Sequence, residues 1–487
     1  MTVTFHVGRS GTGKSEQMIH EVIQELKQNP SGPTIYMIVP DQMSFEMEKK
    51  MATVDGLHGS TRIQVLSMRR LAFLMMRDAG VATDQFLDQT GTHLLLRKVV
   101  EMSEERLTLF RRTMNQFGFY EELNQLISML KRGLVEPEHL LRLSEQAQHR
   151  ALKLQDLSII YEGFLKMTEG KSLHAEDYFN VMLQILPETD LTDVRVYVDG
   201  FNEFSEQELA VLVALAEKVD VDVLLTIDPI SLYRLNPLFG PTQRTLMRFK
   251  ELLAERQIPS RDELYDTVYR YTHPSLRYLE ATFDQLTAEP YTGSENRIDL
   301  HAAVDRTVEV EAAVREVIRL TREEGYRYRD IALVSRSLDE YGDLASQELQ
   351  KMGLPYFLDE RQPMLDHPLV ELLKATIEIA LRGYREESVF RALKTELVVL
   401  DPVHRRTSVD RLEAFVIERG IKHYHWHDEW QLRRRSGEEA RLTSEELDIE
   451  AELNRSRERV IETFDPLLSD LKQAKTMQAY THAMYAF

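Results

Sequence analysis

The stretch that most constrains the fold is MTVTFHVGRSGTGKS, in which alternating Val3, Phe5 and Val7 run into Gly8, Arg9, Ser10, Gly11, Thr12, Gly13, Lys14 and Ser15. Those eight residues satisfy the phosphate-loop spacing GxxxxGK[ST] at every position. Met18, Ile19, Val22, Ile23 and Leu26 then recur at the helical period, so strand, glycine loop and helix arrive in the order such a loop requires. The chemistry explains the residue types. Backbone N–H groups can wrap a polyphosphate only where glycines allow close approach and unusual dihedrals. Lys14 is expected to pair with the β and γ phosphates and Ser15 to hold a magnesium ion, while the helix that follows adds the positive end of its dipole. ATP and Mg2+ are therefore the expected cofactors, with Gly8 to Ser15 as the nucleotide-binding residues; the alternative is a glycine turn without a ligand.

At 487 residues the chain is too long for one core. Thr34–Val39 is a continuous apolar run ended by Pro40, and Arg62–Leu66 is a third strand followed by a helix carrying Leu71, Phe73, Leu74 and Met75. Such alternation predicts an α/β fold with a parallel sheet. We expect a first lobe in residues 1–83, a helical insertion in 84–187, and the first lobe resumed in 188–295, where Val194–Val198 and Val221–Ile227 are strands. From Glu251 to Pro290 the chain is polar and weakly periodic, which suits a connection better than a core. A second α/β lobe is expected in 296–385, with strands Ile298–Ala303 and Ile331–Val334 around a helix, and a charged helical region in 386–487 that reads as cut short.

Composition narrows the function. The chain has no cysteine, which removes disulfides, thiolate catalysis and iron–sulfur ligation and suits a reducing compartment. No apolar run reaches the about 18 residues of a membrane span, so a cytoplasmic protein without membrane partners is expected. Sixty Lys and Arg against 80 Asp and Glu give a net charge of −20, so any nucleic-acid site must be a local basic path on an acidic body.

A nucleotide site of this class needs an acidic residue at the tip of a neighbouring strand, with a second carboxylate beside it as general base. Asp199, after Val194–Val198, supplies the first and is expected to hold the magnesium with Ser15. Gly200 stands where the base belongs; Glu203 is the only carboxylate near. After the next strand, Asp228–Arg234 could carry a γ-phosphate sensor.

The order of phosphate loop, helical insertion, VDGFNE, TIDPISLYR and IALVSR (331–336) is similar to superfamily 1 helicases of the UvrD and RecB kind, in degraded form. More specifically, GRSGTGKS, VPDQMSFEMEK (Val39–Lys49), QVLSMRRLAF (Gln64–Phe73), VDGF and PYFLDERQPMLDHPLVE (Pro355–Glu371) resemble the B subunits of the bacterial AddAB helicase–nucleases, over essentially the whole chain. The resemblance implies two RecA-like lobes with inserted helical subdomains and a heterodimer with the A subunit. It implies binding of double-stranded DNA ends and single-stranded DNA, processing of double-strand breaks for recombinational repair, and a share in recognising the Chi sequence. By analogy Gln42, Ser44, Arg70, Phe73 and Phe201 are the DNA-reading candidates, the alternative being that Phe45 and Phe73 are core and Gln42 a helix cap, and Arg336 reaches the γ-phosphate or is a surface arginine. The nuclease domain and four-cysteine iron–sulfur cluster of the family do not carry over to this sequence. Neither does a motor: only seven residues precede Gly8, too few for the adenine-reading glutamine motif, and Gly200 cannot handle a proton. The expectation is nucleotide binding with little turnover by this chain alone, against an autonomous phosphate-loop NTPase or kinase, or a scaffold with a relic loop. His423, His425 and His427 have alternating spacing but lack a fourth ligand and read as a solvated turn; Arg433, Arg434 and Arg435 read as a charged face that could touch phosphates.

Overall fold

A computed structural model describes residues 1–53, 61–81, 86–116, 118–147, 150–169, 174–234, 236–285, 287–358, 364–432 and 442–487. Arg433, Arg434 and Arg435 lie outside these residues. The chain forms two compact units, Met1–Leu300 and His301–Phe487.

In the first unit the strands are β1 (Val3–Gly8), β2 (Thr34–Ile38), β3 (Ile63–Leu66), β4 (Val194–Val198), β5 (Val221–Thr226) and β6 (Ser260–Tyr265). All pair in parallel, in the order β3-β2-β4-β5-β1-β6. Helices α1 (Lys14–Gln28), α2 (Asp41–Ala52) and α3 (Met68–Asp78) follow the first three strands. The helical insertion is α4 (Gln89–Ser103), α5 (Phe119–Arg132), α6 (Pro137–Gln146), α7 (Ala151–Thr168) and α8 (Tyr178–Ile185); then come α9 (Glu206–Ala216), α10 (Gly240–Glu255) and α11 (Pro274–Thr282). This is the expected α/β class, a parallel sheet with many helices, consistent with a RecA-type helicase fold.

Period-two alternation sorts the side chains to the two faces. Val3, Phe5 and Val7 of β1 meet Leu71 and Met75 of α3, Met182 of α8, Leu212 of α9 and Phe249 of α10. On the other face Met18, Ile19 and Val22 of α1 and Met47 and Met51 of α2 cover Ile35, Met37 and Leu224. The insertion has its own core of Leu96, Ile127, Leu157, Ile160 and Phe164. Its loop before α5 is held by the buried carboxylate of Asp156, which accepts N–H bonds from Thr108 (3.0 Å), Leu109 (2.7 Å) and Phe110 (2.8 Å). Where α5 meets the turn before α8, Lys131 pairs with Asp177 at 2.5 Å and Arg132 with Glu176 at 2.6 Å.

Two expectations need correction. The segment from Glu251 to Pro290, read as a connection, holds the end of α10, all of α11, and β6, which pairs with β1 from Val3↔Ser260 to Gly8↔Tyr265. An edge strand carries charges such as Arg261 and Glu263 towards solvent, and with Asp262, which pairs with Lys250, they erase the apolar periodicity by which strands are found. The imidazole of His6 helps dock it, bridging Asp222 (2.9 Å) and the Tyr265 hydroxyl (3.0 Å).

Neither Ile298–Ala303, which spans the end of the first unit and the start of the second, nor Ile331–Val334 of the second forms a strand among the described residues. Their apolar side chains have no sheet to enter: Val334 is 93% exposed. Helices α12 (Arg306–Glu323) and α13 (Leu338–Lys351) pack through Val310, Val314 and Leu349. Beside them lies a cavity of about 1070 Å³ walled by Val317, Ile331, Leu333, Tyr341 and Phe357. Helices α14 (Pro368–Arg382), α15 (Glu386–Leu393), α16 (Arg405–Arg419), α17 (Ser444–Gln473) and α18 (Met477–Ala486) follow. Leu412, Trp426, Val460 and Phe464 form the centre of that helical core. Among the described residues no helix is long and apolar enough to cross a membrane.

Candidate nucleotide site

Because every strand is parallel, all six end on one edge, and loops bearing polar residues collect there. The central loop follows β1. Its turn depends on Gly11, at φ +81°, where a Cβ would lie 2.8 Å from the Cβ of Arg270. Gly13, also left-handed, caps α1 without a side chain, leaving the first N–H groups of that helix for a ligand. Lys14 begins the helix and is buried, its Nζ donating to the carbonyls of Gly8 (2.6 Å) and Arg9 (3.0 Å) and to Thr12 Oγ1 (3.4 Å). Burial, assisted by the cation of Arg270 and opposed by Asp199, brings its ammonium down to about 8. Ser15 is half-buried in the first turn of α1, and Ser10 is exposed at the tip of the loop.

Asp199 directly follows β4, its N–H donating to Ile38 O at 3.0 Å and its Oδ1 accepting from the Gly200 N–H at 2.8 Å. It is buried and acts electrostatically on Lys14. An oxygen donor, a hydroxyl in the first turn of α1 and a buried ammonium are the donor set that a magnesium-bound polyphosphate takes. Ser15 and Asp199 would hold the metal, and the loop with Lys14 the phosphates. Gly200 has φ +85°, and a Cβ there would meet Met43 Sδ at 2.5 Å and Pro40 Cδ at 3.1 Å. A side chain at position 200 would therefore have to adopt a left-handed backbone and displace Met43. Glu203 is exposed in the loop before α9.

Sequence reasoning missed Tyr269 and Arg270. Both N–H groups donate to Gly11 O, at 2.8 and 3.1 Å, and the Tyr269 ring lies against Gly13. The segment after β6 thus lies over the phosphate loop and brings a second cation to it. The only signal was an aromatic–arginine run, YRY, behind a charged strand that had itself gone unread.

The DNA candidates divide. Gln42, in the first turn of α2, is exposed, as is Arg70 of α3, which pairs with Glu48 of α2 at 3.2 Å. Ser44 is buried, its hydroxyl donating to Asp41 O at 2.8 Å. Phe73 sits between Phe86 (5.4 Å) and Tyr178 (5.9 Å), with Arg69 over its face, and Phe201 packs on Phe204 at 4.9 Å. Phe45, by contrast, is 69% exposed on α2. Arg336 belongs to the second unit, exposed on the wall of its cavity. His425 and His427 pair with Asp428 (3.2 Å) and Asp465 (3.0 Å). Among the described residues no three His, Asp or Glu side chains are grouped to hold a metal ion.

The family described as ADDB, N-terminal, matches residues 5–280, which contain the phosphate loop, β2 to β6, the last four residues of β1 and the segment over the loop. The chain belongs to this family. Curated relatives extend the AddB likeness over the remainder. A protein of Exiguobacterium sibiricum, named as the B subunit of an ATP-dependent helicase/deoxyribonuclease, is 47% identical over 483 residues, 99% of this chain and 42% of the relative. Proteins of the same name from Anoxybacillus flavithermus and Heliobacterium modesticaldum are 37% and 36% identical over the whole of this chain, which covers 44% and 41% of them. This AddB-family chain therefore spans less than half the length of the curated relatives it matches.

Proposed function

We propose that this chain is the nucleotide- and DNA-binding part of the B component of a helicase–nuclease, working with an A component on DNA ends during double-strand-break repair. In this reading it binds MgATP without motor-rate turnover. The observation that carries it is the phosphate loop itself: a buried Lys14, left-handed Gly11 and Gly13, and Asp199 acting on the same ammonium. Bound magnesium would supply charge neutralisation for the β and γ oxygens. The chain's own residues do the rest: backbone N–H groups of the loop bind phosphate oxygens, Lys14 neutralises them, and Arg270 adds a second cation. A water is left without a base beside Asp199, because Gly200 has no side chain to take its proton. Exposed Gln42 and Arg70 support a share in reading Chi, since amides and guanidinium groups are the side chains that read base edges.

Titration of the purified chain with MgATP tests the reading. Binding is expected, Lys14→Ala should weaken it at least tenfold, and hydrolysis should stay near background with or without single-stranded DNA. DNA-stimulated turnover faster than about 1 s⁻¹ would instead favour an autonomous NTPase, and absence of binding a relic loop.

A further inference from the structure

Arg9 stands at the second position of the loop, where the phosphate-loop spacing accepts any residue. Its main chain serves the loop: the Arg9 carbonyl accepts from Lys14 Nζ at 3.0 Å and from Thr12 Oγ1 at 2.9 Å. The side chain is 14% exposed and is fully engaged with other elements. Nε donates to Glu280 Oε1 at 2.6 Å and Nη2 to the Glu280 carbonyl. Both terminal nitrogens reach Asp284 Oδ1, at 3.4 and 3.3 Å, and Nη1 lies 3.8 Å from Asp228 Oδ2. The guanidinium also covers the ring of Phe239 at 5.2 Å. Three carboxylates, each no more than 15% exposed, converge on one cation. Those partners come from α11 and the second residue after it, and from the second residue after β5.

A planar five-donor cation suits such a junction, because its rigid fork can bond several carboxylates at fixed angles, whereas a lysine is a compact point charge with three donors on a flexible stem. Removing it would leave the carboxylates facing one another without compensation. The junction also fixes where the loop's first peptide groups point, since Arg9 is itself a loop residue. A second tie runs from the same stretch of chain, through the Tyr269 and Arg270 N–H groups on Gly11 O.

We propose that Arg9 is a positioning residue: its side chain anchors the phosphate loop to α11 and to the tip of β5, so that affinity for a nucleoside triphosphate depends on Glu280 and Asp284. This rests on the nucleotide-binding reading above. It differs from a phosphate-contacting role for Arg9, in which the acidic partners would only compete with the ligand for the cation.

The test is a double-mutant cycle on the 487-residue chain, read by MgATP titration, with thermal midpoints measured for every variant. Arg9→Lys, Glu280→Gln and Asp284→Asn should each weaken MgATP about tenfold, and Arg9→Lys with Asp284→Asn together no more than the worse single change. Asp156→Asn, which loosens the helical insertion, should lower the thermal midpoint and leave affinity unchanged. If Arg9→Lys fails to fold, the two acidic variants carry the test alone. Unchanged or tighter binding in both acidic variants, or additive losses in the double variant, overturns the proposal while leaving the nucleotide reading intact. A parent chain that binds no MgATP overturns both.

Discussion

Lys14 directs its cation at the carbonyls of its own loop. Burial lowers the ammonium from the usual lysine value to about 8, so the fold disfavours its charge. The sign follows. Below about pH 8 the lysine is protonated with or without ligand, and affinity for MgATP should be flat. Above it the free loop has lost the proton while phosphate favours the ammonium, so binding must take one up, and affinity should fall by up to about tenfold per pH unit. Titrations between about pH 7 and pH 9.5, with proton uptake measured in two buffers of different ionisation enthalpy, would check this; a flat profile across the range would mean that Lys14 does not face the phosphates. The stability effect has its own sign: a depressed lysine value costs the fold stability below about pH 8, and the cost is relieved as pH rises toward the unfolded value. Of the residues around Lys14, the loop glycines are legible because their chemistry fixes their spacing, and Asp199 because it follows an apolar strand. Arg270 is not, because nothing in a sequence says that a residue so far along the chain returns to the loop.

The helical insertion owes its attachment to polar groups as much as to its core. His174 is buried, its Nε2 paired with Asn124 Oδ1 at 3.1 Å and its Nδ1 accepting the Glu176 N–H at 3.2 Å. Only the neutral imidazole satisfies both, and burial, with Lys131 adding to it, holds the group down to about 4. An unfolded histidine titrates near 6.5, so stability is whole above that value. It should fall by at most about 1.4 kcal/mol per pH unit as pH drops toward 4. Denaturant titrations of the parent and His174→Gln at about pH 7 and pH 5 should show a smaller acid loss in the variant; equal losses would place the acid sensitivity elsewhere. Elements with a buried face were readable in this way from end to end: the five strands expected in the first unit, and helices such as α5, announced themselves by period. β6 did not, being an edge strand whose charges answer to solvent. The IALV run fails for the opposite reason. Its composition is that of a buried strand, but a strand exists only where a neighbour completes its hydrogen bonds, and among the described residues none pairs with it.

At the scale of the whole chain, the first unit holds all six strands found among the described residues, both faces of their core and the phosphate loop. A fragment of residues 1–300 should therefore unfold in one cooperative transition by circular dichroism, and a broad non-cooperative melt would show that this unit leans on the rest. Within it, β1 makes its sheet contacts only with strands far along the chain. Thr2 bonds Asp220 across a separation of 218 residues and His6 bonds Tyr265 across 259. At the about 5–20 residues per second of protein synthesis, residues 3–8 wait roughly 10 to 50 s for the second of their two neighbours to be made. Through that interval VTFHV is an apolar segment with open hydrogen bonds on both sides, the kind of stretch that seeks partners indiscriminately. The part of the molecule with the most specific chemistry thus has the most exposed youth, and its assembly in the cell depends on what shields it until β5 and β6 arrive.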